Sequence, residues 1–451
     1  MIRLEGLVPP ITAPSYDSRA KRSTILPPDG SERIQQISKA QQLLLAQLRA
    51  NANLNVTLFR FAPYIALDLD SADIGRLQDW VGRVSALSTG RPFRISIEVV
   101  DALKAQCAPP ALLEVSLEEA SRHLELDGFP APAESSTVVV IDDRIDEKLS
   151  ALHGRVQALQ TVVIGPAVDV PLSPAPVDLP NAAVSHGTKV ALIVAAGNPN
   201  ARIVGLDVFG KYETSSTEFL ANALQQVLMF QATGAHGNIA AVCVSLGDKD
   251  MASRFDCDCD TEPIYVGCAV LKPALRDHIN LLAAYQIPVV IAAGNEALYE
   301  GEVFYPSCLS TAVTVGSSRG GIGGTPLIRS RLSNWGPMLD LCAQGAFLNV
   351  ELGPPTNRMV YSLGSGSSFA APFVAAGFST LLEQHPDATQ ALIDEALRKN
   401  GFSVTDSGVT VPEIRVLSAS KWLDSPPPAD VDFVPTTIVT PTPTPGPNSP
   451  H

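Results

Sequence analysis

The sequence predicts an α/β fold with a mostly parallel central sheet, and three segments support this class. Val138 to Asp142 is a continuous run of β-branched residues that ends in a carboxylate, which is typical of a strand buried on both faces. The segments that begin at Ser185 and Ser368 start with small polar residues and continue into apolar stretches, so each is expected to begin a helix. Helices that alternate with such strands pack in layers against the sheet.

Four short motifs supply the groups needed for acyl transfer by an activated serine. Asp142 is expected at the carboxyl end of its strand, and His186 of Ser-His-Gly-Thr at the start of the following helix. Ser368 of Gly-Ser-Gly-Ser-Ser-Phe-Ala-Ala-Pro is the candidate nucleophile, with His186 as its base and Asp142 orienting the imidazole. The side-chain amide of Asn295, in Ala-Ala-Gly-Asn-Glu, and the Ser368 backbone N–H are the candidate donors to the oxyanion.

The order Asp142, His186, Ser368 resembles that of the subtilases, the subtilisin-like serine peptidases of family S8. It differs from the orders in chymotrypsin and in the α/β-hydrolases. The resemblance extends over residues 136–419 and implies a three-layer subtilisin-like fold, an acyl-enzyme intermediate and a polypeptide substrate. Further segments match the family: Ala241 to Gly247, Tyr305 to Cys308, Val315 to Gly316, and Ser333 to Pro337.

The chain departs from the subtilase pattern beside two of these residues. The family usually has a small residue and then glycine after the catalytic aspartate, whereas Asp143 and Arg144 follow Asp142 here. The second carboxylate is expected to change the charge balance of the acid, and Arg144 to pair with a neighbouring aspartate. Ser367 and Phe369 replace the threonine and methionine that usually flank the nucleophile.

One segment resembles the family strand whose backbone pairs with an extended substrate. It comprises Ser245, Leu246 and Gly247. The region from Lys211 to Ser215 is expected on the other side of the bound peptide, which would then be held between two strands by backbone hydrogen bonds.

Three residues around the asparagine motif are expected to line the pocket for the side chain that precedes the cleaved bond. Ala292 and Gly294 are small and leave room for a bulky group. Glu296 either favours a basic or polar group in the pocket or is simply solvated.

Composition limits the alternatives. The 451 residues are 45% hydrophobic, enough for one large α/β domain and a smaller unit. The formal net charge of −14 disfavours nucleic acid or an anionic membrane surface as a partner. No run of about 18 uninterrupted apolar residues is present, so no membrane-spanning helix is expected.

The chain divides into five parts by composition and hydrophobic pattern. They are a disordered leader at 1–30, a small α+β unit at 31–105, a linker with a processing site at 106–135, the catalytic domain at 136–424, and a Pro/Thr-rich disordered tail at 425–451.

The α+β unit resembles the ferredoxin-like inhibitory propeptide (I9 type) that precedes many subtilase domains. By that resemblance it is an intramolecular partner that assists folding and then blocks the groove until it is cut within residues 102–128. The alternative is a small independent α+β domain.

The seven cysteines indicate a mixture of roles. Cys243 and Cys342 lie in apolar runs and are expected to be buried thiols. Cys308 is expected to form a disulfide, if the compartment is oxidising, with Cys257 or Cys259 in the insertion at 255–260 or with Cys268 just beyond it; a zinc site is the alternative. The chemistry requires no cofactor. Alternating aspartates at 256, 258 and 260 offer oxygen ligands to a structural calcium ion, with a solvated acidic turn as the alternative; metal ligands are otherwise unknown.

Localisation and activity each leave alternatives open. Family resemblance implies export, whereas residues 1–30 lack the apolar region of a signal peptide. The leading hypothesis is a serine endopeptidase made as a self-processing zymogen. The alternatives are a catalytically silent subtilase-fold protein that binds peptides or a partner, and a serine hydrolase of esters, which the absence of a Gly-x-Ser-x-Gly motif at Ser368 disfavours.

Overall fold

The structure is a computed structural model of the chain. It describes residues 2–4, 38, 41–42, 56–58, 64–67, 95–97, 102–105, 115–163, 165–174, 184–212, 214–253, 273–297, 303–346, 348–351 and 361–425. Residues 255–268, with their aspartates and cysteines, and residues 426–451 of the tail lie outside the described residues, so the predictions made for them remain predictions.

The described residues form short strands and helices of one to five turns. The helices are α1 Leu117–His123, α2 His186–Gly197, α3 Thr217–Thr233, α4 Pro273–Ala284, α5 Ser367–Gln384, α6 Gln390–Asn400 and α7 Val416–Asp424. The strands are β1 Ile2–Leu4, β2 Val56–Leu58, β3 Tyr64–Leu67, β4 Ile95–Ile97, β5 Ala102–Ala105, β6 Val115–Ser116, β7 Thr137–Asp142, β8 Val156–Thr161, β9 Val168–Val170, β10 Arg202–Asp207, β11 Ser215–Ser216, β12 Ile239–Val244, β13 Leu246–Ser253, β14 Val289–Ala292, β15 Val303–Tyr305, β16 Val313–Arg319, β17 Ile328–Arg329, β18 Leu341–Gln344, β19 Leu348–Glu351, β20 Tyr361–Gly364, β21 Phe402–Asp406 and β22 Val409–Glu413.

An 11-stranded sheet runs through the main domain. Its order is β21-β22-β18-β16-β14-β12-β7-β10-β8-β9, with β17 paired to β16. All neighbours from β22 to β8 are parallel, and the pairs at the two ends and the β16–β17 pair are antiparallel. The predicted mostly parallel sheet is therefore confirmed.

The central strand β7 shows why the domain has three layers. All six of its residues are buried, and alternate side chains enter different clusters. Val138 and Val140 pack in the cluster that contains α2 and α5, whereas Val139 and Ile141 pack in the one that contains α3 and α4. Because successive side chains of a strand point to opposite faces, a run without polar residues requires a helical layer on each side.

Helices α5 and α6 are separated by a short connection that contains a proline. Helix α5 ends at Gln384, two residues before Pro386, which cannot continue it. The N-cap of α6 is Thr389, whose side chain accepts a hydrogen bond from Leu392 N at 3.2 Å. Thr389 lies directly before the first helical residue, where a side-chain oxygen can reach the free N–H groups.

A separate four-stranded antiparallel sheet contains strands from the predicted α+β unit, in the order β2-β3-β1-β4. Strand β1 comes from residues 1–30, for which a disordered leader was predicted, and Ile2 pairs with both Ile65 and Ile97. For Ile2–Leu4 the prediction of disorder is wrong. This segment has an apolar residue on each side of Arg3, and it joins a sheet whose other strands are distant in the sequence.

The start of the main domain also differs from the prediction, which assigned residues 106–135 to a linker. Strand β6 pairs with β19, and helix α1 is closed by a capping box in which the Ser116 and Glu119 side chains satisfy each other's backbone N–H. Leu117, Ala120 and Leu124 belong to the main hydrophobic core. Residues 115–126 are therefore part of the packed domain.

Polar contacts join α1 to the C-terminal part of the domain. His123 Nε2 lies 2.8 Å from a carboxylate oxygen of Glu413, which is fully buried and also 3.2 Å from Arg415. Glu125 accepts hydrogen bonds from the backbone N (2.9 Å) and the hydroxyl (2.7 Å) of Ser418. A buried carboxylate needs such partners, so these contacts hold residues 115–126 in place.

None of the helices in the described part of the chain combines the length and the apolar character that a bilayer crossing needs.

We expect Leu124→Ala to lower the free energy of unfolding by roughly 2–5 kcal/mol, the usual range when a fully buried leucine is truncated. Chemical denaturation of the purified protein measures this. Arg122→Ala, on the solvent side of the same helix, is the control and should change the free energy of unfolding little. Equal effects of the two substitutions would show that α1 is not part of the core.

Candidate active site

Three candidate catalytic side chains lie at the carboxyl edge of the parallel sheet. Asp142 is the last residue of β7, His186 the first of α2, and Ser368 the second of α5; all three are buried. The distance from Asp142 Oδ1 to His186 Nδ1 is 2.8 Å. This hydrogen bond places the proton on Nδ1 and leaves Nε2 as the basic nitrogen. Nε2 is buried and makes no hydrogen bond in the structure.

The surroundings of His186 raise the pKa of its imidazole. Burial by itself lowers the pKa of His186, but the charge and hydrogen bond of Asp142 and the charge of Asp143 outweigh it, so the pKa is raised. Lys189 acts in the opposite direction. An imidazolium is therefore stabilised at the position where a general base would hold a proton.

Asp143, the departure from the subtilase pattern, holds the start of helix α2. Its carboxylate accepts hydrogen bonds from His186 N at 3.1 Å and Gly187 N at 2.6 Å, two of the N–H groups that a helix leaves free. Burial, followed by the charge of Asp142, raises the pKa of Asp143. A Cβ at position 187 would lie 2.3 Å from the Asp143 carbonyl oxygen, so only glycine allows this approach. The Asp143 carboxylate thus bonds to helix amides; for Arg144 the prediction of a pair with Asp143 or Asp146 remains a prediction.

The nucleophile candidate is oriented by a neighbouring strand end. Ser368 Oγ donates a hydrogen bond to the Ser245 carbonyl oxygen at 3.2 Å, and Ser245 Oγ donates to the Ser368 carbonyl oxygen at 2.8 Å. Pro372 explains the second contact: it lies inside α5 and has no N–H to donate to the carbonyl four residues earlier. Ser245 satisfies that carbonyl, a role that the sequence analysis did not foresee. The serine must rotate to bond to His186, as catalytic hydrogen bonds often tighten only with substrate.

The amide of Asn295 has only one consistent orientation. Its Oδ1 accepts hydrogen bonds from Ser367 N at 2.7 Å and Ser367 Oγ at 3.1 Å. Its Nδ2 is buried and makes no hydrogen bond in the structure. A Cβ on Gly366 would come within 2.6 Å of that nitrogen, so a glycine at φ +146° leaves this side open. The result is an unpaired N–H donor beside the N-terminus of α5.

Strand β5 of the same chain lies between the two predicted walls of the substrate groove. It pairs antiparallel with β13, Ala105 opposite Leu246 and Lys104 opposite Gly247. On its other edge Leu103 pairs with Ser215. The edges of β11 and β13 can therefore pair with an extended segment of chain, and in this structure that segment is residues 102–105.

The three residues predicted to line the pocket, Ala292, Gly294 and Glu296, differ in their surroundings. Ala292 ends β14, and Gly294 is buried at φ +109° with Asn334 and Phe304 packed where a side chain would lie. Glu296 is exposed, and its carboxylate accepts a hydrogen bond from Asn295 N at 2.8 Å. Because Gly294 has no side chain, Asn334 and Phe304 can pack directly against the loop.

The cysteines agree with the expectation for those that the structure describes. Cys243 and Cys342 are buried free thiols, and burial raises the pKa of both. Cys308 is in a disulfide whose other half lies outside the described residues. Within the described ranges no group of three or more His, Cys, Asp or Glu side chains could hold a metal ion. The calcium prediction is untested by this finding, since its aspartates lie in the insertion.

A parallel α/β sheet that brings a carboxylate, an imidazole and a serine hydroxyl to one edge has the arrangement of a serine-type hydrolase. The sequence profile of the subtilase family, peptidase S8, matches residues 134–411, well over half of the chain. The chain therefore belongs to the subtilase family, which supports a serine-type protease and confirms the predicted subtilisin-like fold.

The relatives are distant. Subtilisin of Bacillus pumilus is 26% identical over 215 residues, 47% of this chain and 68% of that protein. Subtilisin-like protease 1 of Trichophyton equinum is 33% identical over 123 residues, 27% of this chain, and the match spans only 22% of its length. The crystal structure of fervidolysin from Fervidobacterium pennivorans, a keratinolytic enzyme related to subtilisin, superposes with a TM-score of 0.50 at 17% identity, over 70% of this chain and 49% of that one.

We expect Asp143→Asn to shift the acidic limb of the kcat/KM–pH profile to lower pH. The asparagine removes a negative charge that raises the pKa of His186, so the imidazole becomes neutral at a lower pH than in the wild type. The activity on the plateau should fall as well, because an amide cannot accept hydrogen bonds from both His186 N and Gly187 N in the same way.

Asp146→Asn is the matched control for this profile. Asp146 follows in the same segment, and its carboxylate accepts a hydrogen bond from Lys148 N at 3.3 Å and does not contact His186. An unchanged acidic limb in Asp143→Asn, or the same shift in both variants, would contradict the role of Asp143.

Proposed function

We propose that the protein is a serine endopeptidase that hydrolyses polypeptides through an acyl-enzyme intermediate and is made as a self-processing zymogen. The observation that carries the proposal is the buried hydrogen bond of 2.8 Å between Asp142 and His186, with Ser368 at the start of the adjacent helix and Asn295 Nδ2 unpaired beside it. Membership of the subtilase family supports the same reaction.

The reaction assigns one role to each group. His186 Nε2 takes the proton of Ser368 Oγ as the oxygen attacks the substrate carbonyl carbon, and Asp142 stabilises the imidazolium. The developing oxyanion accepts hydrogen bonds from Ser368 N and Asn295 Nδ2. His186 then gives its proton to the leaving amine as the peptide C–N bond breaks. In the second half His186 takes a proton from water as the water oxygen attacks the acyl carbon, and it returns that proton to Ser368 Oγ as the ester bond breaks.

Self-processing is supported by the pairing of the chain with itself. Strand β5 occupies the position of an extended substrate between β11 and β13. Because residues 115–126 belong to the packed domain, the cut is expected between Ala105 and Val115, narrower than the range 102–128 inferred from sequence. Ala105 is opposite Leu246, so one further step along an antiparallel ladder would bring residue 106 opposite Ser245, whose carbonyl receives the Ser368 hydroxyl. We therefore propose the bond Gln106–Cys107 as the processing site.

We expect Ser368→Ala to abolish both labelling by a fluorophosphonate probe and processing of the full chain, since the nucleophile is lost. Gel fluorescence measures labelling, and N-terminal sequencing of the mature wild-type protein should give a chain that begins at Cys107. Ser403→Ala, on the exposed strand β21, is the control and should label and process like the wild type.

A wild-type protein that neither labels nor cleaves casein, even after limited proteolysis of residues 1–114, would favour the catalytically silent alternative. A mature chain that begins elsewhere between residues 106 and 115 would contradict only the assigned bond.

A further inference from the structure

One buried residue, Asn334, makes three hydrogen bonds to the loop that carries Asn295, residues 293–296. Asn334 is fully buried, and its Nδ2 donates a hydrogen bond to the Ala293 carbonyl oxygen at 3.0 Å. Its backbone N donates to the Gly294 carbonyl oxygen at 3.0 Å. Its Oδ1 accepts from Glu296 N at 3.1 Å. Asn334 therefore bonds to every residue of the loop except Asn295.

The side chain must be an amide of this length. It donates to a carbonyl before Asn295 and accepts from an N–H after it, which a carboxylate or an apolar side chain cannot do together. Gly294 and the Asn334 side chain are also in close contact, because a Cβ added to Gly294 would lie 2.3 Å from Asn334 Nδ2. The glycine at φ +109° and the asparagine thus form one packed unit.

Ser367 holds the opposite side of the same loop. Its Oγ donates to the Gly294 carbonyl oxygen at 3.1 Å and accepts from Gly294 N at 3.0 Å, in addition to its contacts with Asn295 Oδ1. With both sides fixed, the position of Asn295 Nδ2 depends on the backbone that Asn334 supports. Stabilisation of an oxyanion requires donors already at about 2.7–3.1 Å from the charge, so a small displacement is costly.

We infer that Asn334 is a positioning residue for peptide hydrolysis: it acts through the loop 293–296 to place the Asn295 amide at the oxyanion. The inference rests on the proposed function. Asn334 contacts the loop and not the reacting atoms, so its effect must pass through Asn295.

A double-mutant cycle tests this dependence. Asn334→Ala is made in the wild type and in Asn295→Ala, and kcat and KM are measured on a peptide amide substrate with the mature enzyme. In the wild type we expect kcat to fall roughly 10- to 100-fold with KM changed less than about threefold, because the donor acts in the transition state. In the Asn295→Ala background the same substitution should change kcat less than about twofold, since the donor is already absent.

Asn222→Ala is the matched control. Asn222 is another buried asparagine, whose amide donates to the Val163 carbonyl oxygen at 2.7 Å and the Gly165 carbonyl oxygen at 3.2 Å, away from the loop 293–296. It should lower the thermal midpoint about as much as Asn334→Ala and leave kcat near the wild-type value. Thermal unfolding of each variant identifies any loss of activity that comes from unfolding; if Asn334→Ala does not fold, Asn334→Asp, which keeps the acceptor and loses the donor, replaces it in the cycle.

Two results would overturn the inference, and only the second would also overturn the proposed function. An active wild type in which Asn334→Ala reduces kcat by the same factor in both backgrounds, or not at all, rejects the role of Asn334 alone. An inactive wild type rejects the proposed peptidase function and this inference with it.

Discussion

The buried hydrogen bond between Asp142 and His186 at the carboxyl edge of the parallel sheet is the constraint on which the rest of the site depends. A carboxylate without exposure to solvent is costly unless it is paired and hydrogen-bonded. Here His186 Nδ1 and the Asp143 backbone N–H both lie 2.8 Å from Asp142 Oδ1, whereas the buried Oδ2 makes no hydrogen bond in the structure. The adjacent Asp143 adds a second negative charge and uses it to hold the helix that carries the imidazole. The fold therefore concentrates negative charge where the proposed reaction creates an imidazolium.

The opposite half of the site depends on one absent donor, the N–H that Pro372 lacks, and on one unpaired donor, Asn295 Nδ2. Pro372 has no N–H, so the Ser368 carbonyl is free to accept from Ser245, and this contact joins the start of α5 to the strand that forms one wall of the groove. Ser367 takes the oxygen of the Asn295 amide and leaves its nitrogen unpaired. An unpaired buried donor costs free energy in the resting protein, and that cost is recovered when a developing oxyanion accepts the hydrogen bond.

The chain also uses one of its own strands as a peptide. Residues 102–105 form a bridge between β11 and β13, whereas residues 115–126 a few positions later are packed in the core through α1 and the contacts of His123 and Glu125. Residues 102–105 are thus held by strand pairing and residues 115–126 by core packing. Under the proposed processing, a strand held by backbone pairing alone can leave after the cut, whereas a helix held by buried leucines remains.

The sequence by itself determined the class of fold and made Asp142, His186, Ser368 and Asn295 the candidate site residues, because each follows a local signal: a buried β-branched run, a helix start, or a glycine-rich turn. The capping box at Ser116 and Glu119 was equally local and could have revealed α1. Only the tertiary structure decided the partners of Asp143, the pairing of Ile2–Leu4 and β5, and the clamp by Asn334. These contacts join residues far apart in the chain, and no periodicity or spacing records which buried donor will meet which acceptor across such distances.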